Sequence, residues 1–260
     1  MTMPKPDSAP LRRSAVLLLA LSAPAAQAFS LNLDFNSLPS AQGWTYMAMG
    51  NTAPETSVFS VSGGTLYQNS QGVGSAPQGS NRYNAFNLLT PGADYTLEFR
   101  AQVTGEESAA PNNHWGFGAG FFDGTGAAFG IALGSMTVQT DWAILSFDTS
   151  TAHTYRLVSH ARALSSAAHA ELWIDGQFIS GGNVGDYGSC TPLGNLCNSV
   201  YLGDGTGGPN ASGAYSSFSL ASSDVPEPAS LGLISLGLGL AGWRRRRHVQ
   251  ERSTSNISVC

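Results

Sequence analysis

Glu98 and Glu171 fall within runs that alternate apolar and polar residues, both at outward positions. Two carboxylates facing one cleft are what glycoside hydrolysis requires, one acting as acid and the other as base or nucleophile. These two are therefore the candidates for a glycan hydrolase or lyase, and the competing reading makes them solvated charges on a strand face. No Gly-x-Ser-x-Gly elbow occurs, and His114, His153, His160 and His169 lack metal-like spacing among themselves, so neither a serine nucleophile nor a zinc site is signalled. Two Asp-Gly-Thr-Gly tetrapeptides begin at Asp123 and Asp204. Aspartate and loop carbonyls are calcium-type ligands, yet Asp-Gly is equally a turn former, and the glutamate-bearing remainder of a calcium motif is missing. The turn is the preferred reading, with calcium as its alternative.

Three aromatic residues sit beside amide or acidic neighbours: Tyr83 after Asn81-Arg82, Trp115 after Asn112-Asn113-His114, and Tyr187 after Asp186. Sugar rings stack on such side chains while Asn and Asp take hydroxyls, so all three are candidate glycan contacts on loops. The plainer alternative is that they seat those loops on the core. Cys190 and Cys197 lie close together, and no second cysteine pair or adjacent histidine completes a metal site. In an oxidising compartment they are expected to form a disulfide, leaving Cys260 unpaired.

The segments that must position these residues have a hydrophobic period of two. Tyr95, Leu97, Phe99, Ala101 and Val103 alternate with Thr96, Glu98, Arg100 and Gln102, as in a half-buried antiparallel strand. Trp115, Phe117, Ala119 and Phe121 alternate with Gly116, Gly118 and Gly120, giving one bulky face and one bare face able to admit a close neighbour or a ligand. Further strands are expected at 31–35, 57–61, 65–68, 84–88, 128–133, 142–147, 154–159, 170–174, 177–180, 200–203 and 215–220, with Asp175-Gly176 as a two-residue hairpin turn. The only helical candidate, 161–168, reads equally well as a loop. So many short strands in one body predict an all-β, antiparallel two-sheet jelly-roll sandwich. Between residues 29 and 225 there are nine Asp and five Glu against four Arg and no Lys, a balance of minus 10. A nucleic-acid ligand is excluded by that charge; calcium and neutral sugars remain open.

The two ends are not part of this body. Lys5, Arg12 and Arg13 precede an apolar run from Ala15 to Ala23, and Ala26-Gln27-Ala28 gives a signal-peptidase site, so residues 1–28 read as a signal peptide. Residues 29–224 form the sandwich domain, and 225–247 a tail: Val225-Pro226-Glu227-Pro228, then Ala229 to Trp243, 15 residues without a charge, then Arg244, Arg245, Arg246 and Arg247. At about 1.5 Å per residue a helix there spans roughly 22 Å, short of the ~30 Å of a bilayer core. Gly232, Gly237, Gly239 and Gly242 weaken it further, while the arginines hold its end in the cytoplasm. The tail resembles the PEP-CTERM sorting signal of Gram-negative surface proteins. The resemblance implies signal peptidase and exosortase as processing partners, transient inner-membrane anchoring through a hydrophobic sorting helix, and delivery to the cell surface or extracellular matrix. Residues 248–260 extend past the point where that family ends.

The body is similar, by the order of Leu33-Asp34-Phe35, Tyr95 to Arg100, Tyr155 to Val158, Glu171 to Gly176 and Tyr215 to Leu220, to concanavalin A-like and laminin-G-like sandwiches. The concanavalin-like glucanases carry a clustered Glu-x-Asp-x-x-Glu strand that is absent here. The expectation is thus a non-catalytic matrix, adhesion or extracellular-polysaccharide-binding module without a cofactor; ice or mineral binding would need a flat Thr or Asn ladder that the sequence does not supply. For the tail, the mature protein is expected to end near residues 226–228, and Glu227→Ala to leave a longer, membrane-retained form. Mass spectrometry of surface-exposed protein checks this, and recovery of mature chains containing Trp243 would refute it.

Overall fold

The computed structural model describes residues 29–73, 80–107, 114–160, 168–186, 190, 194–205 and 210–222. The signal peptide with Ala26 and Ala28, the tail with its Pro-Glu-Pro triplet and arginines, residues 248–260, most of 161–168, and Tyr187 lie outside the described residues. The strands are β1 (Ser30–Leu33), β2 (Thr45–Met49), β3 (Phe59–Ser62), β4 (Thr65–Asn69), β5 (Ser80–Phe86), β6 (Tyr95–Glu106), β7 (Gly118–Asp123) and β8 (Ala127–Gly134). They continue with β9 (Thr137–Gln139), β10 (Ile144–Ser146), β11 (His153–His160), β12 (His169–Ile174), β13 (Gln177–Asn183), β14 (Gly185–Asp186), β15 (Asn198–Gly203) and β16 (Ala211–Ser222). One helical turn, α1 (Glu55–Val58), precedes β3.

These strands make two antiparallel sheets. The first runs β13-β12-β11-β6-β16-β4-β3 with β1 added on β16, and the second runs β10-β9-β8-β7-β15-β5-β2 with β14 added on β8. The expected all-β, two-sheet antiparallel sandwich is therefore the observed fold. Its core follows from the period of two: Tyr95, Leu97, Phe99 and Ala101 of β6 are buried and meet Phe121, Phe129, Ile131, Val200 and Leu202 of the second sheet. In β16 the alternation is interrupted, because the register shifts between Tyr215 and Ser217. A bulge at that point lets both Tyr215 and Phe218 face the core while Ser216 and Ser217 are exposed.

The Asp175-Gly176 turn is present, with φ of 50° and 79° between Ile174 and Gln177. Two positive φ values are what a type I′ hairpin needs. Elsewhere the strand limits differ from expectation. Residues 55–58 make a helical turn after Pro54, so β3 starts only at Phe59. The strand expected at 84–88 starts earlier and ends at Phe86, where Asn87 adopts φ of 58° and turns the chain.

Cys190 and Cys197 are bridged, with Cα atoms 5.1 Å apart. The amide of Gly124 donates to the carbonyl of Cys197 at 2.8 Å, so the bridged loop is tied to the turn between β7 and β8. An eight-residue closed loop removes about 2.5 kcal/mol of chain entropy from the unfolded state. Replacing both cysteines with serine is expected to lower unfolding stability by that order in a denaturant titration, with one linked peptide in a non-reducing digest of the native protein; two free thiols there would contradict the bridge.

Candidate functional site

The bare face anticipated along β7 continues on β8. Outward positions are occupied by Gly118 and Gly120 on one strand and by Gly130, Ala132 and Gly134 on the other, with Gly120 directly opposite Gly130. Two rings lie on this backbone floor. A Cβ on Gly120 would stand 2.6 Å from the Tyr201 hydroxyl and 2.3 Å from the carbonyl of Phe129; one on Gly130 would stand 2.6 Å from the same hydroxyl and 2.8 Å from the Trp115 ring. Glycine is required there because the rings approach closer than any side chain would allow. Tyr201 reaches the floor because it pairs with Gly120 in register while its neighbours Val200 and Leu202 point into the core.

Trp115 is delivered by the segment that leads into β7, and this segment is pinned residue by residue. The amide of His114 donates to Oε1 of Gln139 at 2.8 Å, and the carbonyl of Trp115 accepts from the Gly205 amide at 2.8 Å. Nε2 of the buried Gln68 donates to the carbonyl of Gly116 at 2.8 Å, and the Leu133 amide donates to Phe117 at 2.8 Å. His114 itself lies over Gly134, its Nδ1 2.8 Å from Oε1 of Glu106, whose other oxygen accepts from the Ser135 amide at 3.0 Å.

Together these parts make a hollow on the outer face of the second sheet, with Trp115, Phe122 and Tyr201 as aromatic walls and Ala128, Phe129, Gly130, Gly205 and Asp141 completing it. Phe122 and Tyr201 are 6.3 Å apart between ring centroids, tilted by 41°. The volume of about 180 Å³ falls below the ~300–1,000 Å³ of pockets that engulf a ligand, and suits one ring of a longer molecule. Asp141 is the one carboxylate among the described lining residues. Crowding by surrounding protein pushes its carboxyl up to about 6, against the pull of a hydrogen bond from the Gly185 amide. Solvent still reaches Asp141, which is an exposed residue at the mouth of the hollow.

Behind Tyr201 lies Arg82, buried on β5. Its Nε donates to Oδ1 of Asn84 at 3.0 Å and its Nη1 to the carbonyl of Gly205 at 2.9 Å, and its guanidinium carbon sits 5.3 Å from the Tyr201 ring centroid. Burial lowers the pKa of this group, opposed by Tyr201 and Asp204. Arg82 thereby braces two members of the hollow from the protein side.

Of the residues singled out from sequence, Trp115 belongs to this hollow. Tyr83 is a correction: it is no loop aromatic but lies within β5, fully buried, with its ring 4.5 Å from Phe59 between centroids. Its neighbours Asn81, Arg82 and Asn84 misled because β5 is buried on both faces, so polar residues there do not mark solvent. Glu98 and Glu171 stand on the outer face of the other sheet. Glu98 pairs with Arg156 at 2.7 Å, and Glu171 accepts from Nε1 of Trp173 at 3.1 Å. They do not share the hollow. Asp123 caps its own turn, accepting from the Thr125 amide at 2.8 Å and the Ala127 amide at 3.2 Å, the geometry of a structural Asp-Gly turn. Asp204 is fully buried, and among the described residues no group of three or more His, Cys, Asp or Glu could hold a metal ion. Phe122, Tyr201, Asp141 and Gly205 were not singled out; for Tyr201 the available signal was an outward aromatic on a strand that must pair with a bare one.

Comparison with known proteins adds a sorting signal and a set of distant shapes. Residues 224–247 match the PEP-CTERM protein-sorting motif, which implies exosortase processing, export and anchoring at the membrane or cell surface. Among the described residues no helix is long and apolar enough to cross a membrane. No curated protein matches the sequence. Similar solved structures include a carbohydrate esterase from the Shiga toxin-encoding bacteriophage phi24B, at 14% identity and TM-score 0.47, covering 75% of this chain and 99% of that one. A β-glucanase from Bacillus licheniformis is 16% identical with TM-score 0.43, covering 74% and 97%, and a carbohydrate recognition domain is 11% identical with TM-score 0.42, covering 77% and 99%. A likeness of this degree carries no information on substrate or chemistry.

Asp141 yields a test of the hollow's electrostatics. A carboxyl whose folded pKa lies above its unfolded value keeps its proton longer when folded, so it costs no stability below about pH 4 and destabilises progressively as pH rises through about 6. Asp141→Asn, which retains an oxygen for the Gly185 amide, is expected to match the native Tm near pH 3.5 and exceed it at pH 7.5. An unchanged difference between the two Tm curves across that range would contradict the raised pKa.

Proposed function

We propose that this chain is an exported surface or extracellular-matrix protein whose sandwich binds a polysaccharide chain without cutting it, seating one sugar ring in the hollow against Trp115. The observation that carries this reading is the aromatic hollow built on a glycine floor, open to solvent and lined, among the described residues, by a single carboxylate. Apolar ring faces with a few placed polar atoms are what a pyranose needs, its C–H face against the rings and its hydroxyls toward Asp141. Hydrolysis with either stereochemical outcome calls for two carboxyls about 5 to 9.5 Å apart across the scissile bond. Glu98 and Glu171, the pair nearest to that description in sequence, are engaged on the opposite outer face. The tail supports delivery to the polysaccharide layer of a Gram-negative envelope, with signal peptidase and exosortase as transient partners and the inner membrane as a temporary station.

The glycan hydrolase or lyase is the second reading, and one experiment separates the two. Incubated with extracellular polysaccharide, the protein is expected to co-sediment and release no reducing ends, and Trp115→Ala to weaken retention by roughly 1 to 3 kcal/mol, a range taken by analogy from aromatic platforms that stack planar bases. Appearance of reducing sugar with the native protein, abolished by Asp141→Asn, would replace binding with catalysis. Full retention by Trp115→Ala would remove the hollow from the binding site.

A further inference from the structure

The same hollow carries information on the charge of its ligand. We infer that the ring it seats is a cationic amino sugar, a unit with a free ammonium group in a partly deacetylated amino-sugar polymer. This inference rests on the glycan-binding reading above and narrows it to a chemical class.

Three observations converge on positive charge. The walls are three aromatic rings, Trp115, Phe122 and Tyr201, whose faces attract cations, indole most strongly. The one charged group in the described lining is a carboxylate, Asp141, at the open side where an ammonium on the ring's edge would meet it. Finally, the body carries nine Asp and five Glu against four Arg and no Lys, so its field draws in a polycation and repels a uronic-acid polymer. Arg82, whose guanidinium carbon lies 5.3 Å from the centroid of the Tyr201 wall, does not offer itself to an anionic sugar. It is buried behind that ring, with donors directed to Asn84 and Gly205 and with the carboxylate of Asp204 supporting its charge from within the protein. A neutral glycan would satisfy the rings and leave the carboxylate with hydroxyl contacts alone. An ammonium satisfies both, forming a charge-assisted hydrogen bond with the carboxylate and a cation–π contact with the walls.

The test uses the exported protein in its released form and four insoluble polymers: cellulose, chitin, chitosan and calcium polygalacturonate. Chitosan is expected to retain the protein at least tenfold better than chitin or cellulose at pH 6.5, and polygalacturonate not at all. Acetylating the chitosan amines with acetic anhydride should bring retention down to the chitin level. Asp141→Asn should do the same while retaining its fold by Tm, and Trp115→Ala, which leaves the net charge unaltered, should also lose retention. Asp148→Asn, a charge removed from an exposed position outside the hollow, should bind as the native protein does. If Asp148→Asn weakens chitosan binding as much as Asp141→Asn, the attraction belongs to the overall charge and the inference is overturned. Equal retention on cellulose, chitin and chitosan, indifferent to Asp141→Asn but lost in Trp115→Ala, overturns the amino-sugar assignment and leaves the glycan reading standing. Absence of binding to all four polymers counts against the glycan reading itself, and against this inference with it.

Discussion

One side chain ties the two sheets together at the point on which the outer hollow depends. Tyr215 leaves β16 in the first sheet, crosses the core fully buried, and meets Gly118 at the start of β7 in the second. Its hydroxyl accepts from the Gly118 amide at 3.0 Å and donates to the Gly118 carbonyl at 2.9 Å, so a phenol in an apolar interior satisfies both its own valences and those of one peptide unit. A buried hydroxyl left unpaired would cost about 1–3 kcal/mol, so the tie fixes position as well as contributing stability. The ring stacks on Phe117 with centroids 4.3 Å apart and planes 11° from parallel. Room for that stack comes from Gly213, where a Cβ would stand 2.5 Å from the Phe117 ring. Burial raises the Tyr215 pKa well above the ordinary phenol value, so the hydroxyl keeps the proton that its bond to Gly118 needs.

From that anchor the rest of the site is a matter of reach. Phe117 fixed inward leaves Trp115, two residues earlier, to cross to the outer face, where the bond from Gly205 holds its carbonyl and Gly130 leaves space for its ring. A floor of glycine carries a conformational cost in the unfolded chain, and each of these strands gives up side-chain packing to make it. The loss is offset on the inner face, where Ala119, Phe121, Phe129 and Ile131 remain in the core. Hence one pair of strands serves two purposes, with its odd-numbered positions holding the sandwich and its bare, even-numbered positions carrying the rings that line the hollow.

The fold was legible in the sequence to the extent that burial was one-sided. β6 and β12, exposed on one face, alternate cleanly and were read at nearly their true limits, and the Asp175-Gly176 turn announces itself because few residues tolerate two positive φ values in succession. β5 was misread because both of its faces are covered: Arg82, Asn81 and Asn84 are as buried as Tyr83, so polarity ceased to report exposure. β2 and the three-residue β9 escaped notice because short segments such as Thr137–Gln139 show too few alternations to establish a period. For the site, composition pointed to Trp115 and to a bare face but not to their coincidence. That coincidence is set by register, Tyr201 opposite Gly120 and Gly120 opposite Gly130, and register between β7, β8 and β15 joins residues some 80 positions apart, which no local pattern encodes.

The contrast between the two outer faces bears on what the protein can do. On the first sheet outward charges have partners: Glu98 faces Arg156, and Asp175 meets His153 at 2.6 Å, a hydrogen bond that holds its carboxyl below the usual range. Such pairs on an exposed face contribute little to stability. On the second sheet charge is handled by separation. Arg82 is withdrawn beneath Tyr201, and Asp141 alone among the hollow's described lining residues presents a carboxylate to solvent. A hollow whose described lining sets one carboxylate beside three rings can distinguish ligands by charge and shape. Among the described lining residues it sets one carboxyl, Asp141, where acid–base cleavage of a glycosidic bond calls for two, and that arrangement of charge, more than the resemblance of the sandwich to any other, is the ground on which retention of a polysaccharide is proposed.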